Sequence, residues 1–146
     1  KNNFSYCFKK KYDYDPILKL CELKKQFKIR MSKKFLKILS IPVRHGSINS
    51  IAYIIEKKIA YLSDVNEIYL KDMKYFKNLK YLIIDCLRYK KHASHFSLDE
   101  IINLTYKLQP KKTILTNLST DLDYNHLNKI LPKNILPGFD GLSIVA

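Results

Sequence analysis

Four apolar runs of this chain each lead to a polar side chain, and that pattern constrains both its layering and the place of any site. Residues 35–43 lead to His45, 58–62 to Asp64, 81–84 to Asp85 and 112–116 to Asn117. Short runs rich in Ile, Leu and Tyr, bounded by polar turns, read as strands. A sheet is rigid, so polar groups at its strand ends can be aimed into one crevice.

The rest of the chain fits around those strands. Residues 1–16 are aromatic and basic and end at Asp15-Pro16, which predicts an irregular lead-in. Residues 17–30 are expected to hold one or two short strands, with a turn at Lys33-Lys34. Pro42 places the 35–43 strand near a sheet edge. In the 50–57 run Ile51, Tyr53 and Ile55 alternate with Ala52 and Ile54, which predicts cover on both faces. A short helix is expected over 70–79. Ser97-Leu98-Asp99-Glu100 is a capping box opening a helix that Pro110 ends. Leu98, Ile101, Ile102, Thr105 and Leu108 share one face of it. A helix over 122–131 and a last strand over 142–145 complete the pattern. Gly46, Gly138 and Gly141 fall in loops at strand ends. A β-rich first half followed by alternating strands and helices gives an α/β fold with a mixed sheet, in one domain spanning 1–146.

Composition removes several function classes. No apolar stretch approaches the ~18 residues of a membrane span, and the polar, basic start has no signal-peptide pattern. The net charge of +14 suggests nucleic acid. Yet Arg30, Arg44 and Arg88 are the only arginines, and the lysines are spread along the chain. Phosphate and base recognition favour the planar guanidinium fork. The abundance of Lys, Asn, Ile and Tyr is what AT-rich codons give, so a nucleic-acid partner is not expected. Cys7, Cys21 and Cys86 have no C-x-x-C spacing and are expected to be reduced thiols of a cytoplasmic protein.

Candidate chemistry rests on few residues. His45 and Asp64 at neighbouring strand ends could hold a divalent metal. On spacing alone, an Asp there is more often a turn former, and a lone His is more often surface or core. His95 precedes a helix and could move a proton near neutral pH, or could simply bond a loop carbonyl. His92 lies three residues earlier, in a segment expected to loop rather than pair. His126 is expected to face solvent. The chain has no Gly-rich phosphate loop and no nucleophile–base pair in sequence.

Taken in order, Val43-Arg44-His45-Gly46, Tyr61-Leu62-Ser63-Asp64, Asp85-Cys86-Leu87-Arg88-Tyr89, His95-Phe96-Ser97-Leu98-Asp99, Leu115-Thr116-Asn117-Leu118 and the Pro137-Gly138-Phe139-Asp140-Gly141 run form a set. The set resembles the metallo-β-lactamase-fold hydrolases, and among them the phosphoribosyl cyclic-phosphate phosphodiesterase group. The resemblance runs from about Tyr6 to Val145.

It implies an αββα sandwich and a dinuclear site of Zn or Mn, where one ion polarises a phosphodiester oxygen. His45 resembles a ligand of one metal and Asp64 the carboxylate that bridges both. His95 resembles the catalytic His that protonates the leaving group or holds the phosphate. Asn117 stands where the family has a His ligand, and Thr120 where a second His is common. Asp140 resembles a turn carboxylate. Two departures matter. The H-x-H-x-D-H run that supplies most ligands is absent, and Asn117 offers only a neutral amide. The chain is therefore expected to be the C-terminal part of the sandwich, lacking the N-terminal half. Alone it should be inactive, with two ions bound weakly or not at all. A lone sheet would expose an apolar face, so a separate N-terminal half or a second copy is an expected partner. Further expectations are a small phosphodiester substrate, an RNA-processing nuclease relative as the second reading, and a non-catalytic interaction module as the third.

Overall fold

The computed structural model describes residues 4–10 and 13–145. Seven strands form one mixed sheet in the order of the chain: β1 (Gln26–Met31), β2 (Lys34–His45), β3 (Ile48–Ile55), β4 (Ile59–Leu62), β5 (Tyr81–Asp85), β6 (Lys112–Thr116) and β7 (Ile135–Pro137). Pairing is antiparallel from β1 to β4 and parallel from β4 to β7. This strand polarity places the site. β2, β4, β5 and β6 all point the same way, so the residues closing those strands gather on one edge.

The two faces of the sheet differ. One carries Ile41, Val43, Ala52, Ile54, Ala60, Leu62, Leu82, Ile84 and Leu115, all buried in the main core. Helix α1 (Leu98–Leu108), helix α2 (Tyr124–Ile130) and a 3-10 turn (Leu70–Tyr75) supply core side chains to it. A fully buried Leu or Ile contributes about 1.5–3 kcal/mol relative to exposure, so this layer dominates stability. The opposite parity of the strands carries Ile29, Ile51, Tyr53, Ile55, Ile59, Tyr61, Tyr81 and Ile83, none of which is buried. Phe27 packs edge-on to Tyr53 there, at 6.4 Å between ring centroids. The apolar alternation of β3 predicts cover on both sides; one side is sealed throughout, and on the other only isolated positions such as Ile38 and Ile114 are buried.

Local chemistry explains most boundaries. The Ser97 side chain accepts from Glu100 N, and Glu100 reaches back to the Ser97 backbone, so the capping box is complete. The helix stops at Gln109 in the left-handed conformation, one residue before Pro110. Asp123 caps α2. Pro42 sits in β2 beyond Leu39, the last residue that β1 pairs, where no second partner needs its missing N–H.

Two expectations are corrected. Residues 142–145 form no strand, because the last edge is taken by Ile135–Pro137, whose Ile135 is 2% exposed against β6. Residues 70–79 form only a 3-10 turn over Leu70–Tyr75, tight enough to drive Met73 and then Phe76 into the core. The stretch 17–30, expected to hold one or two short strands, holds one, β1, which runs on to Met31. Among the described residues no helix is long and apolar enough to cross a membrane.

Candidate metal centre

His45 closes β2, while Asp64 lies two residues beyond β4, with β3 between those strands. Main-chain bonds bring them together. The segment after β4 turns back across the end of β3, so that Arg44 N donates to Glu67 O at 3.0 Å and Asn66 N to Arg44 O at 2.9 Å. Ser50 Oγ donates to Asp64 O at 2.6 Å, and Asp64 holds a positive φ of 55°. Gly46 also has a positive φ, of 61°, and its N donates to Asn66 Oδ1. A Cβ at Gly46 would sit 3.2 Å from the Ser94 Cβ, so this loop and the Ser94 loop press together. Phe96 N donates to Val65 O at 3.0 Å and ties the His95 loop to the Asp64 loop.

As a result His45, Asp64 and His95 each offer one donor atom, and the three atoms lie within 4.8 Å of one another. The two imidazoles meet edge to face with centroids 4.6 Å apart. His45 Nδ1 is 2.8 Å from Ser94 O. A carbonyl can only accept, so Nδ1 carries the proton and the Nε2 lone pair is free. His95 Nδ1 is hydrogen-bonded to Asp85 Oδ2, and Asp85 is fully buried. Burial pushes the Asp85 carboxyl above its ordinary range, while the hydrogen bond and charge of His95 pull it back down; the nearby Asp64 adds to the rise. Asp85 Oδ1 is buried without a partner. Next to it the Cys86 thiol is pushed up to about 12, first by burial and then by the Asp85 charge, so it is inert.

Two of the strand-end expectations thus converge with a third residue, His95. Asn117 stands on the same edge, one residue past β6, whose Thr116 pairs with Asp85. It lines a cleft of about 520 Å³ with Thr116 and Asp140. Thr120 is exposed and Asp140 lies in a turn. His92 is in the loop, its ring 5.7 Å from that of His95, and His126 is exposed on α2. Sequence reasoning placed Asp85 at a strand end but gave it no role. The signal was a carboxylate closing an otherwise apolar run. The Ser94 carbonyl left no trace in side-chain chemistry.

The donor set fits a divalent cation. Two imidazoles and a carboxylate suit Zn or another borderline ion, and both imidazoles have their second nitrogen occupied, as metal-binding imidazoles do.

Comparisons with known proteins bear on the fold and the family. Over 99% of its length the chain is 30% identical to an octanoyltransferase of Porphyromonas gingivalis, covering 30% of that protein. A diphosphatase of the PhnP family is 32% identical, with a TM-score of 0.73 over 82% of this chain and 46% of that one. The metallo-β-lactamase-fold protein YhfI of Bacillus subtilis is 15% identical with a TM-score of 0.68, and shares the fold over 88% of this chain and 56% of that one. Human tRNase Z, short form, is 14% identical with a TM-score of 0.61 over 83% and 47%. The chain thus spans about half of the solved structures it matches and less than a third of the curated relative. The family model of the Beta-lactamase superfamily domain matches residues 1–116, and this chain belongs to that family.

Proposed function

We propose that this chain carries the C-terminal share of a metal-dependent phosphodiesterase centre, completed by an N-terminal half that brings an H-x-H-x-D-H run. The observation that carries the reading is the convergence of His45, Asp64 and His95 on one sheet edge. The likeness to a PhnP-family diphosphatase at 32% identity supports phosphorus chemistry, though that protein's substrate is not carried over. Octanoyl transfer is not carried over either, because the match is 30% of that protein.

Bound Zn or Mn ions would polarise a phosphodiester oxygen and lower the pKa of water. The chain's own residues do the rest. His45 and Asp64 hold cation charge at the strand edge. Asp85 fixes the His95 ring through Nδ1, so Nε2 faces the reacting group and can hand a proton to the leaving oxygen. The loop 88–92 adds Arg88, Lys90 and Lys91, and their charge favours an anionic substrate. The unsealed face of the sheet is where the second half would seat.

The test is complementation. The purified chain is assayed on a chromogenic phosphodiester with Mn or Zn, alone and with the N-terminal half of the PhnP-family relative. The chain alone should stay at background. The complex should turn over, and His45→Ala or Asp64→Ala should lower kcat at least ~100-fold. Turnover that ignores both substitutions would overturn the reading.

A further inference from the structure

We infer that the strand-start edge of the sheet, opposite the metal centre, docks on an anionic membrane surface. The inference is independent of the phosphodiester reaction and of any metal.

Spread along the sequence, the lysines are gathered by the fold. The register sets Ile38, Ile55, Ile59, Tyr81 and Lys112 side by side from β2 to β6. Lys37, Lys58, Lys80, Lys112 and Lys133 stand on this line or just before it, at the starts of β2, β4, β5, β6 and β7. Lys80 N donates to Lys58 O at 2.8 Å and Lys112 N to Lys80 O at 3.1 Å, so three of them are consecutive rungs. Thr113 N donates to Asn134 O at 2.8 Å, which brings Lys133 alongside. Five interstrand spacings make the row roughly 24 Å long. The segments of this edge, 33–37, 56–58, 77–80, 107–112 and 129–134, hold twelve lysines and one acid, Glu56. The opposite edge carries the carboxylates Asp64, Asp85 and Asp140. Among the described residues none of the five lysines of the row is in an ion pair.

Simpler causes do not produce this row. AT-rich codons set how many lysines the chain has, not which end of the sheet they occupy. The helix dipole accounts for Lys107 and Lys129, in the last turns of α1 and α2, but not for lysines at strand starts. Like charges in a row repel one another, and an anionic partner offsets that cost.

Two features favour lipid over nucleic acid. No arginine stands on the row, and an ammonium is a hydrated point charge that suits mobile headgroups better than fixed phosphate geometry. The exposed apolar groups lie past the row rather than along it. Beyond Ile38, β1 and β2 pair only with each other, so their hairpin projects roughly 10 Å past Lys37. Its tip carries Met31, 56% exposed, and Phe35, 61% exposed, beside the exposed Lys33 and Lys34. Apolar side chains flanked by lysines suit the boundary between headgroups and acyl chains. A single strand of nucleic acid would need free aromatic platforms along the row. The ring there, Tyr81, is already faced by Lys80 Nζ, 5.8 Å from its centroid. Docked in this way, the chain holds its metal centre away from the bilayer.

The experiment is cosedimentation of the purified chain with vesicles of phosphatidylcholine holding roughly 30% phosphatidylserine, and with pure phosphatidylcholine. Binding to the mixed vesicles alone is expected, and high salt should release it. A lysine near an anionic leaflet contributes about fivefold to partitioning. Lys58→Gln with Lys112→Gln should therefore weaken binding about 25-fold, and Lys37→Gln with Lys133→Gln, a second pair from the row, by a similar factor. Lys90→Gln with Lys91→Gln removes the same charge from the opposite edge and should change binding less than about threefold. Thermal melts check that each variant is folded. The chain has no Trp, so Phe35→Trp reports on the hairpin tip, and its emission should shift to the blue on the mixed vesicles. Equal weakening by the row pairs and the opposite-edge pair would overturn the inference, as would equal binding to pure phosphatidylcholine, no binding to either vesicle, or unshifted emission. An RNA oligomer held more tightly than the vesicles through the same lysines would also overturn it, in favour of a nucleic-acid partner.

Discussion

The two faces of the sheet are built from the same residue types yet do different work. On one, Leu62, Leu82, Ile84 and Leu115 are fully buried under α1, α2 and the turn at 70–75. On the other, Ile29 is 44% and Tyr61 38% exposed, although their strands are as apolar. The first face therefore supplies the stability of the isolated chain, and the second keeps much of its apolar area in contact with water. At roughly 25 cal/mol per Å², that area is a reserve of binding free energy. The same composition makes a sealed core on one side and a partly exposed apolar layer on the other.

The contrast is sharpest in truncations. Phe76→Ala, in the sealed layer, should cost about 3–5 kcal/mol and bring the chain near unfolding, whereas Ile83→Ala on the open side should cost no more than about 1 kcal/mol. Urea denaturation measures both, and equal losses would mean the faces are not energetically distinct. Next in size is an effect on association. Ile29→Lys with Tyr61→Lys should weaken pairing with a second half or another copy by several kcal/mol, because unpaired charges would then lie in the contact. Sedimentation velocity reads this, while the urea midpoint should move by less than about 1 kcal/mol. Unchanged sedimentation would show that the open side is not where partners seat.

The smallest effect lies at the cap of α1, on the sealed side. Ser97→Ala should cost about 1 kcal/mol. The Glu100 half of the box sets an acid limb of stability. The backbone hydrogen bond of Ser97 holds the Glu100 carboxyl below its ordinary value of 4.5, against a smaller opposing effect of burial. Its contribution is therefore complete above about 4.5 and is lost as pH falls through the lower folded value. Thermal melts between neutral and acidic pH should show a shallower decline in Glu100→Gln than in the parent chain, while Ser97→Ala, which keeps the backbone N–H, should retain most of the slope.

How much was legible in the sequence follows from which signals are local. The capping box and the face of α1 could be read because both depend on residues three or four apart. β2 to β6 could be read because each is an apolar run ended by a turn. β7 was missed because Pro137 and Gly138 look like a loop, and only the edge position of the strand excuses the proline. The convergence of His45 and Asp64 was expected from strand ends. The agent that achieves it, a main-chain crossing between Arg44 and residues 66–67, is backed by an Arg44–Glu67 ion pair at 3.0 Å, a long-range pairing that no local spacing announces. Asp85 was visible as a carboxylate after Tyr81-Leu82-Ile83-Ile84, but its hold on His95 needed the path of the intervening loop.

The shared direction of β2, β4, β5 and β6 has a consequence for how such a protein can be divided. His45, Asp64 and Asp85 each hang from the end of a different strand, and each strand is set by the neighbour beside it. Separating the chain from whatever packs on its open face would therefore leave these groups in register, like teeth on one half of a zip.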